Sequence, residues 1–389
     1  MNKILTLNKI AIEGLELFPL HSYEISTETH NPEVILLRSY KMNDMDLPES
    51  LLAVGRAGAG VNNIPVDKCS EKGIVVFNTP GANANAVKEL TIAGLLLSSR
   101  GIIDGVNFTR SLPGKGTEVP ALVEANKKAF SGREIMGKRL AVIGLGKIGV
   151  MVANSAVDLG MQVIGYDPFI SVESAWGLSR DVQRAEGLEA AILDADYITV
   201  HTPLTDKTRG VFNAEKFNIV KKGVRILNLS RGGIVNNDDL RKAIENGIVA
   251  CYVTDFPDEE LLSMKNVITI PHLGASTYES ERNCAVMIAN QVRDFVEKGN
   301  IKNSVNYPDC RLDQSTDFRL VVMHRNIPNI ISQIATVLAA AGININEMLN
   351  KSKGDHACSI FDVSNKPGED LVKAICKVES VSKVRLLCF

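Results

Sequence analysis

The sequence predicts an α/β protein in three parts: a doubly wound parallel sheet in mid-chain, a smaller α/β unit before it, and a βαββαβ module at the C-terminal end. Three observations predict it. Apolar runs of strand length alternate with helical patterns through the first two parts, the order that lays down a parallel sheet. Those runs end repeatedly in polar residues, and open α/β sheets bind ligands beyond the carboxyl ends of their strands. From Phe318 onward the chain reads strand, helix, strand, strand, helix, strand, a ferredoxin-like order.

The mid-chain sheet is organised around Gly137 to Asp167, GKRLAVIGLGKIGVMVANSAVDLGMQVIGYD. Leu140 to Ile143 is a strand. Gly144, Gly146 and Gly149 form G-x-G-x-x-G, and Ile148, Val152, Ala156 and Leu159 then share one helical face. The first glycine allows a tight turn, the second lets the backbone approach a pyrophosphate, and the third lets helix pack on strand. Phosphates would sit at the helix N-terminus, where free N–H groups favour an anion. Gln162 to Tyr166 is a second strand ending at Asp167, a carboxylate placed to accept ribose hydroxyls. The unit therefore reads as Rossmann-type with NAD as cofactor, since a 2′-phosphate would meet the Asp167 charge.

Composition excludes several classes. A length of 389 residues calls for two or three domains. A net charge of −2 gives no reason to expect nucleic acid or an anionic membrane as partner. The apolar runs are too short to span a bilayer, and the N-terminal stretch has no signal-peptide layout, its apolar residues being interrupted by Asn8, Lys9 and Glu13. The 7 cysteines are scattered with no C-x-x-C spacing, which predicts reduced thiols, no metal site and a cytoplasmic location.

In chain order, residues 1–95 read as the small α/β unit. Glu33 to Leu37 is a strand with Arg38-Ser39 at its end. Leu52 to Gly55 is another, ending at Arg56 in GRAGAGVNNI, and Val75 to Asn78 runs into NTPGANANAVKE. Arg38 and Arg56 both follow strands and read as an anion site. Residues 96–282 hold the dinucleotide unit. Its later strands end in His201-Thr202-Pro203, in Ser230-Arg231-Gly232-Gly233, in Thr254-Asp255 and in Pro271-His272. Ser276 to Glu279 has capping-box spacing and opens a long helix, residues 283–305 returning the chain to the first unit. A polar linker, 306–315, leads to a separate module, 316–389.

These residues suit the oxidation of a 2-hydroxy acid. Arg231 has the planar fork that binds a carboxylate and the reacting oxygen. The hydroxyl proton needs an acid–base acceptor, and the imidazole of His272 is suited to that role. A carboxylate beside the imidazole would fix its tautomer, and Glu259 and Glu260 lie in the loop before the last of these strands.

GLGKIG with Asp167, then HTPLT, NLSRGGIVN and IPHLGAST, resemble the D-isomer-specific 2-hydroxyacid dehydrogenases, in family order across most of residues 1–300. LLRS at Leu36 to Ser39, GRAGAGVNNI and NTPGANANAV resemble the members acting on a phosphorylated substrate. HRNIP at His324 to Pro328 and GININ at Gly342 to Asn346 are similar to ACT-type regulatory domains. The resemblance implies a discontinuous, flavodoxin-like substrate domain and NAD-dependent oxidation of 3-phospho-D-glycerate to 3-phosphooxypyruvate, the entry to L-serine synthesis. It implies a homodimer or homotetramer.

It further implies roles at matching positions. Arg231, Glu260 and His272 would be catalytic. Gly144, Gly146, Lys147, Ile148, Gly149, Asp167, Thr202, Pro203, Leu229, Ser230, Asp255 and Gly274 would line NAD beside Arg231 and His272, with Asp255 toward the carboxamide. Arg38, Ser39, Arg56, Gly58 and Asn83 would join Arg231 on the substrate. A lysine of the pair Lys127-Lys128 would reach a neighbouring subunit's phosphate. His324, Asn326 and Asn344 would hold L-serine as effector, the two asparagines being expected close together at the ends of one helix.

The departures are specific. Asp255-Phe256-Pro257-Asp258-Glu259-Glu260 replaces the family's D-V-F-x-x-E-P, so an ungapped count makes Glu260 the partner of His272 and a one-residue deletion makes it Glu259. Asn329 stands where ACT-type domains usually have glycine. The competing functions are a glyoxylate or hydroxypyruvate reductase, which would leave Arg38 and Arg56 without purpose, and a dinucleotide-sensing scaffold of the same fold.

Overall fold

The apolar runs of the N-terminal part become five short strands, β1 (Asn2–Leu7), β2 (Tyr23–Ser26), β3 (Val34–Leu37), β4 (Ala53–Arg56) and β5 (Val75–Phe77). The computed structural model describes residues 1–389. The five strands pair in parallel in the order β2-β1-β3-β4-β5, the flavodoxin-like arrangement. Successive side chains alternate between two cores: Leu5, Ile35, Leu37, Val54 and Val76 point to one, Ile4, Val34, Leu36, Ala53 and Val75 to the other. Both faces are covered, which is why these strands read as continuous apolar runs.

The second sheet contains β6 (Arg139–Ile143), β7 (Gln162–Tyr166), β8 (Gln183–Arg184), β9 (Tyr197–Val200), β10 (Val224–Asn228), β11 (Val249–Thr254) and β12 (Val267–Thr269). Its order is β12-β11-β10-β9-β6-β7-β8, parallel throughout, with the reversal between β6 and β9. That reversal places the ends of β6 and β9 at the switch point where dinucleotides bind in this architecture.

The chain divides into two compact units, Met1–Asn83 with Tyr278–Phe389, and Ala84–Thr277. The boundary expected near residue 95 falls inside the helix Ala84–Ser99. That helix belongs to the second unit because it packs there: Gly94 lies against Leu227 and Val253, Ser99 Oγ is 2.8 Å from the Tyr197 hydroxyl, and Arg225 Nε donates to the Ser98 carbonyl at 2.7 Å. Residues 102–130 follow this helix. They form helices Ile102–Arg110 and Val119–Asn126 and a short turn, Lys127–Phe130, none of which has a buried side chain.

The return helix is Tyr278–Lys298, opened at the capping-box residues as expected, and buries Cys284, Ala285, Ile288, Ala289, Val292, Phe295 and Val296 along one stripe. Beyond it come β13 (Phe318–Arg325), β14 (Ile345–Lys353), β15 (His356–Val363) and β16 (Val381–Cys388), antiparallel in the order β14-β15-β13-β16. Helices Ile330–Ala340 and Glu369–Cys376 cover one face over Leu320, Val322, Phe361 and Val363. This is the ferredoxin-like arrangement expected.

Its independence is not observed. The opposite face, Val321, Met323, Cys358 and Ile360, continues the core of the return helix and the first sheet. Arg385 donates to the carbonyls of Phe295 (3.1 Å) and Val296 (2.9 Å), and Arg319 to that of Lys298 (2.9 Å), so two arginines satisfy the terminal carbonyls of the return helix. The stretch 306–315, expected to be a linker, is polar because it bonds the edge of the first sheet. Asn306 Oδ1 accepts from the Val76 N–H at 2.9 Å, and its Nδ2 donates to Ser70 Oγ (3.0 Å) and the Ile74 carbonyl (2.9 Å). Asn329, in place of a family glycine, has φ of +68° at the start of its helix; asparagine is among the few non-glycine residues that tolerate this conformation.

Candidate active site

At the end of β6 the three glycines have three different surroundings. Gly144 has φ of +93°, and a Cβ there would lie 2.7 Å from the His201 carbonyl oxygen. A Cβ on Gly149 would lie 1.9 Å from the Gly144 carbonyl oxygen, so helix and turn are packed to the limit that glycine allows. A Cβ on Gly146, just before the helix Lys147–Asp158, meets nothing within 4 Å, leaving the helix N-terminus open to an anion. Lys147 points to Glu173 (2.7 Å), Ile148 packs against the core beneath, and Asp167 accepts from the N–H of Leu145 and of Phe169, both at 2.8 Å. These two bonds hold the carboxylate at the tip of β7.

The neighbouring strand ends converge on the same edge. After β9, His201 Nε2 lies 3.0 Å from Thr199 Oγ1, while His201 Nδ1 and Thr202 Oγ1 are sealed from solvent without partners, and the Pro203 carbonyl accepts from Thr208. After β10, Leu229 is buried, and the Asn228 side chain shapes the loop: its Oδ1 accepts from Ser230 N–H (3.3 Å) and Oγ (2.9 Å), and its Nδ2 donates to the Arg231 carbonyl (2.8 Å). Arg231 is thus carried on a braced turn, with its guanidinium exposed and Nη1 donating to the Ser230 carbonyl at 2.7 Å. Asn228 was missed in the sequence; an asparagine ending a strand before S-R-G-G was the available signal.

After β11, Asp255 is buried. Its Oδ2 accepts from the Gly274 N–H at 3.2 Å, and its Oδ1 has no partner. Burial raises its pKa, while the positive charges of His272 and Arg231 oppose that rise. The structure thereby gathers Arg231, Asp255, His272 and Gly274 on one edge. His272 is exposed, its ring 4.6 Å from that of Phe256 at 50°. Glu260 is not brought to it: Glu260 Oε2 accepts from Asn237 Nδ2 at 3.0 Å, and neither Glu260 nor Glu259 forms an ion pair with His272. The compact D-F-P-D-E-E turn explains this. Asp258 caps the helix Glu259–Leu262 by accepting from the Leu261 N–H, which fixes both glutamates at the helix start.

These residues fit a dinucleotide: an unobstructed helix N-terminus at Gly146, a fixed carboxylate at Asp167, and orphaned polar atoms on His201, Thr202 and Asp255 along one edge. His201 also gives a pH prediction. Burial lowers its pKa from 6.5 to about 4. Between those values the unfolded chain binds a proton that the folded chain refuses, so stability falls as pH drops through that window and is unaffected above it. The loss is at most about 3 kcal/mol. Replacing His201 by asparagine should flatten that acid limb of the melting temperature; parallel pH profiles for the two proteins would refute the assignment.

In the first unit, Arg38 follows β3 and Arg56 is the last residue of β4, so both lie at strand ends as expected. Arg38 Nη1 is 2.7 Å from Glu281 Oε1, and the Arg38 carbonyl accepts from Arg56 Nε (3.0 Å) and Asn63 Nδ2 (3.2 Å). Ser39 is exposed, Gly58 lies beside the Arg56 guanidinium, and Asn83 is half-buried. Lys127 pairs with Glu124 on its own helical turn. The effector trio is not assembled. His324 is buried, with Nδ1 2.8 Å from the Arg325 carbonyl and Nε2 2.8 Å from Ser359 Oγ. Asn326 Nδ2 donates to the Gly354 carbonyl, beyond the Arg325–His356 end of the sheet. Asn344 precedes Ile345, which pairs with Val363 at the Phe318 end. The helix Ile330–Ala340 carries the chain back along β13, so its two ends cannot meet.

Residues 105–274 match the model of the D-isomer specific 2-hydroxyacid dehydrogenase NAD binding domain. The chain belongs to the D-isomer-specific 2-hydroxyacid dehydrogenase family. It is similar to proteins named D-3-phosphoglycerate dehydrogenase. It is 34% identical to that of Methanocaldococcus jannaschii over 321 residues, 80% of this chain and 59% of the relative. It is 38% identical to that of Homo sapiens over 296 residues, 74% of this chain and 53% of the relative. The chain therefore spans little more than half the length of these relatives. The NAD+-bound 3-phosphoglycerate dehydrogenase of Entamoeba histolytica aligns with a TM-score of 0.62 at 25% identity, covering 78% of this chain and 98% of that one. A glyoxylate reductase from Paecilomyes thermophila, with a TM-score of 0.64 at 23% identity over 78% of this chain and 98% of that one, shares the fold.

Proposed function

We propose that this chain oxidises 3-phospho-D-glycerate to 3-phosphooxypyruvate with NAD. The observation that carries this is the grouping of Arg231, Asp255 and His272 beyond the strands of a sheet that also presents a dinucleotide turn. Bound NAD supplies the hydride acceptor. Arg231 would take the carboxylate and the reacting oxygen through its fork. His272 would accept the hydroxyl proton, and Phe256 orients its ring. Asp255 would hold positive charge near His272 and present its unpartnered Oδ1 to the carboxamide. The relatives' printed name supports a phosphorylated substrate, and Arg38 and Arg56 supply cations for that group. Homo-oligomerisation fits the exposed apolar residues Ile102, Ile103 and Val106.

Initial rates test this. Arg231→Ala should raise KM and lower kcat together, because one fork serves substrate binding and the transition state; a change in neither would refute its role. Cofactor choice is a separate expectation. NAD should be preferred to NADP, and Asp167→Ala should erode the preference. Equal kcat/KM for the two cofactors in the unmodified enzyme would contradict it.

A further inference from the structure

Glu281 lies in the first turn of the return helix, and its carboxylate sits 2.7 Å from Arg38 Nη1. An acidic residue in a first turn is ordinary helix chemistry, stabilised by the N-terminal end of the dipole. Its partner is not ordinary, because Arg38 directly follows the strand β3 of an open parallel sheet, where anionic ligands bind. The loop carrying Arg38 is fixed independently of Glu281: the Arg38 carbonyl accepts from Arg56 and Asn63, and Asn63 Nδ2 also donates to the Tyr40 carbonyl at 2.7 Å. Glu281 is therefore not needed to build the loop. It occupies the side chain.

We propose that Glu281 is a competing carboxylate on the anion subsite, exchanged for the phosphate of the substrate. This rests on the function proposed above. Both partners are partly exposed, at 36% and 42%, so water and salt screen the pair and it yields to a better ligand. A phosphate dianion with three oxygens is such a ligand for a guanidinium. While the pair stands, Arg38 stays extended from its strand; when it breaks, the cation is already placed. The contact raises the KM for a phosphorylated acid and leaves an unphosphorylated one untouched.

The test is Glu281→Gln in the full-length chain, which keeps a polar side chain and removes the charge. Calorimetry with inorganic phosphate should show binding tighter by about two- to fivefold, the worth of an exposed ion pair. The KM for 3-phospho-D-glycerate should fall by a similar factor with kcat little changed, and the KM for D-glycerate should not move. Adding Arg38→Gln should erase the gain. Phosphate binding that is unchanged, weaker, or absent from both proteins overturns the proposal and leaves Glu281 a helix-start residue. Turnover of D-glycerate in place of the phosphorylated acid would overturn the proposed reaction, while the calorimetry would still decide on Glu281.

Discussion

Replacing His272 by alanine is expected to lower kcat by about 10²- to 10⁴-fold, the usual contribution of a positioned general acid–base. The proton of the substrate hydroxyl has to leave as hydride leaves carbon, and His272 is the titratable side chain that the strand end of β12 places beside Arg231 and Asp255. Its binding role is minor, so KM should change far less than kcat. Turnover close to that of the unmodified enzyme would remove His272 from the chemistry. The glutamates give a finer check. Glu260 is engaged by Asn237, so Glu260→Gln should act through the loop and not through the imidazole, leaving the pH dependence of kcat in place. A shifted acid limb in that variant would show that Glu260 reaches His272 during turnover.

The second large effect is on stability. Arg319 and Asp362 form a buried bidentate pair, at 2.6 and 2.9 Å, with the two side chains 1% and 0% exposed. Ser315 adds an N–H donor at 2.9 Å and a hydroxyl donor at 3.0 Å to Asp362, and Arg319 also holds the Lys298 carbonyl. Replacing Arg319 by leucine strands the carboxylate, and such losses cost about 3–5 kcal/mol. Urea denaturation should show a loss of that size; a loss under about 1 kcal/mol would mean that water reaches Asp362. The pH sign follows from the same geometry. Burial pushes the Asp362 pKa up, but the Arg319 and Ser315 hydrogen bonds outweigh it and hold the carboxyl below its ordinary value of 3.8. This contribution is complete above that value and is lost as pH falls through the lower folded-state pKa.

What could be read from the sequence was whatever is written locally. G-x-G-x-x-G, the acid ending the next strand, and polar residues after each apolar run are short-range patterns, and their geometry follows from strand-turn-helix sterics. The βαββαβ order of the C-terminal module was legible for the same reason. Its docking has only a faint local trace: Leu320 to Met323 carries apolar residues at consecutive positions where a half-exposed strand would alternate. Partners far apart in the chain stayed hidden. Glu281 holds Arg38 across a separation of 243 residues, and Asn237 holds Glu260 across 23. A D-E-E run says only that an acidic turn is present. The effector trio failed on direction: a helix packed antiparallel to its preceding strand separates Asn326 from Asn344 by the length of that strand.

The most direct test of the proposed reaction is reduction of NAD by two acids that differ only in the phosphate. With the purified full-length chain, kcat/KM for 3-phospho-D-glycerate should exceed that for D-glycerate by about tenfold or more, the worth of a charged hydrogen bond of about 1.5–3 kcal/mol. Arg56→Gln should narrow that gap. Equal kcat/KM for the two acids, or reduction of NAD by neither, would contradict the proposal that this family member acts on the phosphorylated acid.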